Sequence, residues 1–240
     1  MASEVIATRR ILPVLMALAC CMGFAMGPVS AATFVRFDTN FGVFDLELYD
    51  VPEMESTVAN FMAYVNAGLY DSTIIHRSTT YNPTGIQIVQ GGSFVLEGNE
   101  INTVSTFAPI PLQAGYSNVR GTIAMARTAD PNSATSGWYF NVANNTALDG
   151  GYAVFGSVVD TAENPGMTVI DAMAAVPVYD ASTVLGGEFL ELPLTARELV
   201  VGSLVRINSV TVVPEPSALV MVGLAALGVA IRRGRKSAIC

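Results

Sequence analysis

Residues 74–92 read IIHRSTTYNPTGIQIVQGG and contain the chain's one histidine, His76, beside Arg77. Two short apolar runs, Ile74–Ile75 and Ile86–Val89, flank a polar loop that contains a Pro-Thr-Gly turn. The pattern predicts a strand, a loop and a second strand. Arg77 and Gln90 then lie at the facing ends of the two strands. We therefore expect the rest of the chain to be a scaffold that holds these two side chains in one groove.

The composition favours one domain and excludes several classes of function. The chain has 240 residues and a net charge of −8. Between Thr33 and Val213 there are six Arg, no Lys and eighteen Asp and Glu, which leaves a net charge of −12. Such a surface repels phosphate backbones, so we expect no nucleic acid partner. One His and three Cys, at positions 20, 21 and 240, have no zinc spacing, so we expect no metal and no cofactor.

The first 32 residues are predicted to be a secretory signal peptide. Arg9-Arg10 form a basic start, Ile11–Ala19 form an apolar segment, and small residues before position 33 supply a cleavage site. Two alternatives are a cytosolic helix or retained anchor, and a lipoprotein attached through Cys20 or Cys21.

The C-terminal segment, residues 214–240, has three parts in a fixed order. Pro214-Glu215-Pro216 precedes the apolar run Ser217–Ile231, and the basic cluster Arg232–Lys236 follows. The run is shorter than the ~20 residues that span a bilayer untilted, and the basic cluster is expected to stay cytoplasmic. One interpretation is a simple tail anchor. The order of the three parts also resembles the PEP-CTERM sorting signal, which implies membrane anchoring by this helix, removal of the tail by an exosortase-type enzyme, and delivery to the cell surface or extracellular matrix.

Between the two ends, residues 33–213 have the pattern of a mainly β domain. Alternating runs at 33–38 and 43–49 predict a hairpin. Apolar positions recurring every three or four residues predict a helix that begins at Pro52 or Ser56 and ends at Gly68, and another over Pro165–Ala175. Many short strands with two separated helices favour a closed antiparallel sheet capped by helices. The remaining predicted strands are Thr122–Ala126, Trp138–Val142, Tyr152–Val159 and Leu204–Val213, and residues 176–200 are predicted to be irregular.

Six blocks in this order resemble the cyclophilin family of peptidyl-prolyl isomerases. The resemblance covers about residues 34–176 and the last predicted strand, and it implies an eight-stranded antiparallel barrel with a helix at each end. It also implies polypeptides containing X-Pro bonds as substrates and a monomeric protein. The blocks are Ile75-His76-Arg77, Gln90-Gly91-Gly92, Gly121–Ala126, Arg127–Ser136, Leu148-Asp149-Gly150 and Val154-Phe155-Gly156.

The same resemblance implies the roles of individual residues. The catalytic arginine corresponds to Arg77, which would donate to the proline nitrogen as the bond twists. The glutamine across the groove corresponds to Gln90, which would hold the substrate carbonyl. His76 is expected to be a buried structural residue. The remaining substrate-binding residues implied are Ile88, Ala126, Arg127, Tyr139, Leu148 and Tyr152.

The chain departs from the family pattern around this groove. Residues 78–85 form an insertion, and Gln87 replaces the family's phenylalanine or marks its displacement. Gly137 replaces a glutamine, Ala147 replaces a tryptophan, and Tyr152 replaces a histidine. Trp138 and Tyr139 alternate on one strand, and the strand register decides which is in the core and which faces the groove.

These departures leave three functions open. The first is an exported isomerase that assists the folding of exported or surface proteins. The second is a proline-peptide-binding surface module with weak or no turnover. The third is an unrelated β-rich matrix adhesin, which requires the order of the motifs to be accidental.

Overall fold

The computed structural model describes residues 32–80 and 85–214, and its main feature is an eight-stranded antiparallel sheet. The predicted signal peptide and C-terminal anchor helix lie outside the described residues, apart from Ala32 and Pro214. None of the helices in the described ranges has the length and hydropathy that a bilayer span requires. The strands are β1 (Phe34–Thr39), β2 (Gly42–Leu48), β3 (Arg77–Ser78), β4 (Ile88–Gly91), β5 (Phe94–Glu97), β6 (Glu100–Thr103), β7 (Thr122–Met125), β8 (Trp138–Asn141), β9 (Val154–Val158), β10 (Val178–Tyr179), β11 (Leu192–Pro193) and β12 (Ile207–Val213). The helices are α1 (Glu55–Asn66), α2 (Gly166–Ala174) and α3 (Ser182–Leu185).

The large sheet has the strand order β12-β1-β2-β9-β7-β8-β4-β3 and curls towards closure. Its two edges meet just outside the named strands, at the bridge between Ile74 and Arg206. The amide of Ile75 donates to the carbonyl of Val205 at 2.9 Å, and the amide of Ile207 donates to the carbonyl of Thr73 at 2.8 Å. The predicted mainly β, eight-stranded fold is therefore confirmed. The prediction of a strand at Ile74–Ile75 is wrong in detail, because Ile74 forms only an isolated bridge, Ile75 lies in no strand, and β3 begins at Arg77.

The β1–β2 hairpin shows why the sequence folds this way. Every second residue of β1 and β2 is buried, and all of these buried residues except Thr39 are apolar, so each strand has one buried face. Phe37 faces Phe44 in register, and their rings stack with centroids 5.0 Å apart. The barrel interior continues this aromatic cluster with Phe61, Trp138, Phe140 and Phe155.

The two predicted helices are confirmed near their expected positions. A 3-10 turn at Pro52–Met54 leads into α1, which buries Val58, Phe61 and Val65. The chain leaves this helix through Gly68, whose φ of +66° suits glycine. The second helix, α2, buries Ile170 and Met173 among its apolar positions.

Residues 176–200 contain more structure than the sequence predicts. Strand β10 pairs with β11, and α3 lies between them. Phe189 and Leu192 are buried in a second apolar cluster with Ile74 and Leu204. These elements are two to four residues long, too short for a periodic pattern, and they are stabilised by packing against distant parts of the chain. We call residues 176–200 the excursion, because it leaves the large sheet after α2 and returns before β12.

Candidate active site

The strand register places the two key side chains side by side. Arg77 of β3 pairs with Gln90 of β4, which pairs with Tyr139 of β8, which pairs with Ala124 of β7. Residues opposite each other in a sheet project from the same face, so this row faces one side. The adjacent row, which faces the barrel core, consists of Ser78, Val89, Phe140 and Ile123.

The register also decides between the two neighbouring aromatic residues. Trp138 is fully buried in the barrel core, where its ring lies edge-on to Phe37. Tyr139 points to the other face and lines a cavity. The sequence left this choice open, and the pairing of β8 with β4 settles it.

Arg77, Gln90 and Tyr139 of this row line a cavity of about 370 Å³. Ile86, Ile88 and Gln90 alternate along the chain, so all three face it. The eight predicted site residues all line this cavity: Arg77, Ile88, Gln90, Ala126, Arg127, Tyr139, Leu148 and Tyr152. Among the residues that the structure describes, Thr79, Ile86 and Glu191 also line the cavity and were not identified from the sequence.

The floor of the cavity is apolar. Ile88, Tyr139 and Val154 are buried together with Ala124 in a small cluster of their own. The half-buried side chains of Leu148, Tyr152 and Ala126 pack against this cluster and continue it towards the opening. An apolar floor beneath polar rim groups is the arrangement typical of a small-ligand or peptide site.

Arg77 on the rim is held by two acceptors. Its Nε donates to Oε2 of Glu191 at 2.7 Å, and its Nη1 donates to Oε1 of Gln90 at 3.4 Å. The side chain of Arg77 is 42% exposed and that of Glu191 is 21% exposed. Glu191 follows Arg77 by 114 residues in the chain and belongs to the excursion, so no local motif could have indicated this pair.

The opposite wall is formed by Arg127 and Tyr152. The Arg127 guanidinium lies 4.6 Å from the centre of the Tyr152 ring, a cation–π contact. Its Nε donates to the carbonyl of Gly151 at 2.7 Å, and its Nη1 donates to the carbonyl of Thr128 at 2.8 Å. Backbone carbonyls therefore fix this guanidinium in place as part of the wall.

A buried polar network supports the floor. The Tyr139 hydroxyl donates to Oδ1 of Asn118 at 2.8 Å. The backbone amide of Asn118 donates to Oδ1 of Asp149 at 2.7 Å, which connects the floor to the turn that carries Leu148. Burial, together with the nearby Tyr152, raises the pKa of Tyr139, so its hydroxyl stays protonated.

His76 lies behind Arg77 and does not line the cavity. It is 3% exposed, and its ring lies edge-on to Phe94 at 4.8 Å. Burial, and secondly the charge of Arg77, lower the pKa of His76 to about 4. The imidazole is therefore neutral at physiological pH and fills space beside the catalytic candidate. In residues 32–80 and 85–214, no group of three or more His, Cys, Asp or Glu could hold a metal ion.

The structure explains two departures from the family pattern. A Cβ at Gly137 would lie 2.7 Å from Oγ of Ser93 and 3.3 Å from Cβ of Ala126, so a larger residue fits only if Ser93 moves. The apolar residue beside the groove is Ile86 rather than Gln87. The backbone amide of Gln87 donates to Oδ1 of Asn145 at 3.0 Å.

Hydrogen bonds hold both ends of the predicted insertion. The Thr79 hydroxyl donates to the carbonyl of Ile86 at 2.6 Å, and the Thr80 hydroxyl donates to the carbonyl of Ala174 at 2.6 Å. The tip, residues 81–84, lies outside the described residues.

Comparison with known families gives two matches. Residues 34–186 match the family described as cyclophilin type peptidyl-prolyl cis-trans isomerase/CLD. Residues 212–236 match the PEP-CTERM protein-sorting motif, a C-terminal sorting signal that indicates an exported protein.

Individual relatives agree with the first match. A peptidyl-prolyl cis-trans isomerase of Acinetobacter baylyi is 41% identical over 154 residues, which are 61% of this chain and 74% of that protein. Peptidyl-prolyl cis-trans isomerase B of Escherichia coli is 38% identical over 59% of this chain and 84% of its own. A crystal structure of a Cryptosporidium parvum cyclophilin type peptidyl-prolyl cis-trans isomerase has the same fold, with a TM-score of 0.54, 20% identity, and coverage of 78% of this chain and 100% of that chain. The chain belongs to the cyclophilin-type family of peptidyl-prolyl cis-trans isomerases.

Proposed function

We propose that the cavity catalyses rotation about X-Pro peptide bonds, with Arg77 as the donor to the proline nitrogen. The observation that carries the proposal is the position of Arg77 next to Gln90, in register, on the rim of the cavity with the apolar floor, which we call the apolar cavity. The family match and the names of the relatives support the same activity.

The chemistry follows from the electronic structure of the amide. Rotation costs ~18–20 kcal/mol because the resonance of the C–N bond must break. In the twisted transition state the nitrogen becomes pyramidal and regains a lone pair, which can accept a hydrogen bond. A donor aimed at that nitrogen stabilises the transition state more than the planar ground state, so the barrier falls. A guanidinium suits this role because it is always charged and carries several N–H donors.

The remaining lining residues would bind the substrate. Ile88, Tyr139 and Leu148 would accept the proline ring on the apolar floor. Gln90 would donate to the carbonyl of the residue before proline through its amide group, while its Oε1 accepts from Arg77. Ala126, Arg127 and Tyr152 would contact the peptide on the opposite wall. The reaction makes and breaks no covalent bond, so it requires no nucleophile, metal or cofactor.

The activity is tested by NMR exchange spectroscopy on a short peptide with one X-Pro bond. Uncatalysed exchange takes roughly 10–100 s, so a catalytic amount of the protein should produce exchange cross-peaks that are absent without it. A proline-peptide-binding module would instead shift or broaden the peptide signals without accelerating exchange, and that result would contradict the proposal.

We further propose where the protein works. Residues 1–32 would direct export, residues 33–213 would form the isomerase, and residues 214–240 would anchor it in the membrane until an exosortase-type enzyme removes them. The mature protein would act as a monomer at the cell surface or in the extracellular matrix, where it would assist the folding of exported proteins. The PEP-CTERM match supports this route.

A further inference from the structure

The pair formed by Arg77 and Glu191 separates two cavities. One is the apolar cavity described above, and both residues line it. The other has a volume of about 550 Å³ and is lined by the same two residues together with Gly187, Glu188 and Leu190 of the excursion. The guanidinium therefore has open space on both sides, and only one side contains the floor for proline.

Glu191 itself is held firmly. Phe189 and Leu192, two residues before it and one after it, are buried in the second apolar cluster. The carbonyl of Glu191 accepts a hydrogen bond from the amide of Ser78 at 2.9 Å, which ties the excursion to β3. The carboxylate is thus presented to Arg77 from a fixed backbone. Because the family match ends at residue 186, Glu191 lies beyond the part of the chain that the family accounts for.

We propose that Glu191 is a positioning residue for Arg77, an inference that rests on the proposed isomerase function. It binds Nε and so keeps Nη1 beside Gln90 on the rim of the apolar cavity. Arginine side chains have several rotatable bonds, and a guanidinium exposed to 42% would otherwise sample both cavities. Holding a catalytic group in its productive geometry lowers the entropy lost in the transition state.

Positioning and charge make opposite predictions for this pair. A carboxylate at 2.7 Å also offsets the positive charge of the guanidinium, which weakens the field at the proline nitrogen. If the offset dominated, removing the charge would raise the rate. If positioning dominates, a neutral acceptor of the same shape should preserve most of the rate, and removing the acceptor should reduce it. The geometry favours positioning, because Glu191 binds Nε and leaves Nη1 to donate to Gln90 on the rim of the cavity.

The test is a double-mutant cycle of Arg77→Ala and Glu191→Ala, measured by exchange spectroscopy with the protein at concentrations stoichiometric with an X-Pro peptide. We expect Glu191→Ala to lower the exchange rate of bound peptide about 10-fold while peptide affinity changes little. In the Arg77→Ala background the same substitution should change the rate less than about 2-fold, since a positioning residue acts only through the residue it positions. Glu191→Gln should stay within about 3-fold of wild type.

A matched control and a second readout complete the test. Asp171→Ala removes a similar exposed ion pair, with Arg120 at 2.6 Å, and should leave the rate unchanged. The Arg77 Nε–H signal in ¹⁵N spectra, assigned by its loss in Arg77→Ala, should remain protected from water exchange in Glu191→Gln and become exchange-broadened in Glu191→Ala.

Three results would overturn the inference. They are a wild-type rate for Glu191→Ala, an equal loss in both backgrounds, and a rate above wild type for Glu191→Gln. A wild-type rate for Arg77→Ala would instead remove the arginine mechanism itself, so the two failures can be told apart.

Discussion

At the residue scale, His76 makes the stability of the protein depend on pH. Its pKa is lowered from 6.5 to about 4 in the folded protein, first by burial and then by Arg77. Between these two values the unfolded chain binds a proton that the folded protein excludes. Folding stability due to this residue is therefore complete above pH 6.5 and declines as the pH falls towards 4.

Replacing His76 by Leu should remove the part of the pH dependence of folding stability that is due to this residue. We expect wild type to lose about 2 kcal/mol more unfolding free energy than His76→Leu between pH 7.5 and pH 4.5, since one pKa unit corresponds to about 1.4 kcal/mol. Urea unfolding of both proteins at the two pH values measures the difference, and carboxylates common to both cancel. Equal losses would show that His76 is protonated in the folded protein or that its environment does not resist charge.

The sequence identified some residues of the site but not others. Arg77, Gln90 and Tyr139 could be predicted because each lies in a short motif with a family counterpart. Glu191 could not, because it lies in no motif and reaches Arg77 only through long-range packing. Ile86 was missed because it has no counterpart in the family motif, although its alternation with Ile88 and Gln90 would have placed it on the same face.

At the element scale, the end of β4 depends on two glycines that pack against β8. A Cβ at Gly92 would lie 2.5 Å from Nε1 of Trp138 and 2.7 Å from the carbonyl of Ser136, and Gly92 has a φ of +79°. The strand that carries Gln90 therefore approaches its neighbour more closely than any other residue would allow.

Gly92→Ala should destabilise the protein by about 3 kcal/mol or more, because backbone strain and a clash with fixed backbone act together. Gly98→Ala is the matched control: its φ is +65°, and nothing lies within 4 Å of the added carbon. Strain alone should cost this variant about 1 kcal/mol. Thermal or urea unfolding gives both values, and equal losses would mean that the close approach at Gly92 relaxes without cost.

The elements themselves were predictable where a pattern is long enough. The alternation in β1 and β2 and the three-to-four-residue spacing in α1 and α2 arise from one buried face each, so the sequence carries them directly. The excursion carries no such signal. Its strands of two residues and its helix of four are stabilised by Phe189 and Leu192 packing against a cluster from elsewhere in the chain.

At the scale of the whole molecule, the sheet, its core and the cavity all lie within residues 34–213. Under the proposed export route, this domain is released from both terminal segments. The net charge of −12 between Thr33 and Val213 would keep such a released domain soluble.

Mass spectrometry of the intact cell-surface protein tests the release. We expect a mass that lacks both the first ~32 residues and the apolar run after Pro216, in keeping with an export signal and a sorting signal that are removed. A variant in which Pro214-Glu215-Pro216 is replaced by three alanines should retain the tail. A surface form of the wild-type protein that still contains Cys240 would contradict processing.

If the Arg77 guanidinium lowers the barrier to X-Pro rotation, the rate of peptide exchange should fall when Arg77 is replaced by Ala. We expect kcat/KM to fall about 100-fold while the variant keeps the wild-type fold by circular dichroism, since a lost transition-state donor typically costs this much. Arg36→Ala is the control. It breaks an ion pair in which Arg36 Nε lies 2.8 Å from Oδ1 of Asp45, and neither residue lines the cavity, so this variant should keep the wild-type rate. A folded Arg77→Ala protein that isomerises the peptide as fast as wild type would contradict the role of Arg77 as the donor to the proline nitrogen.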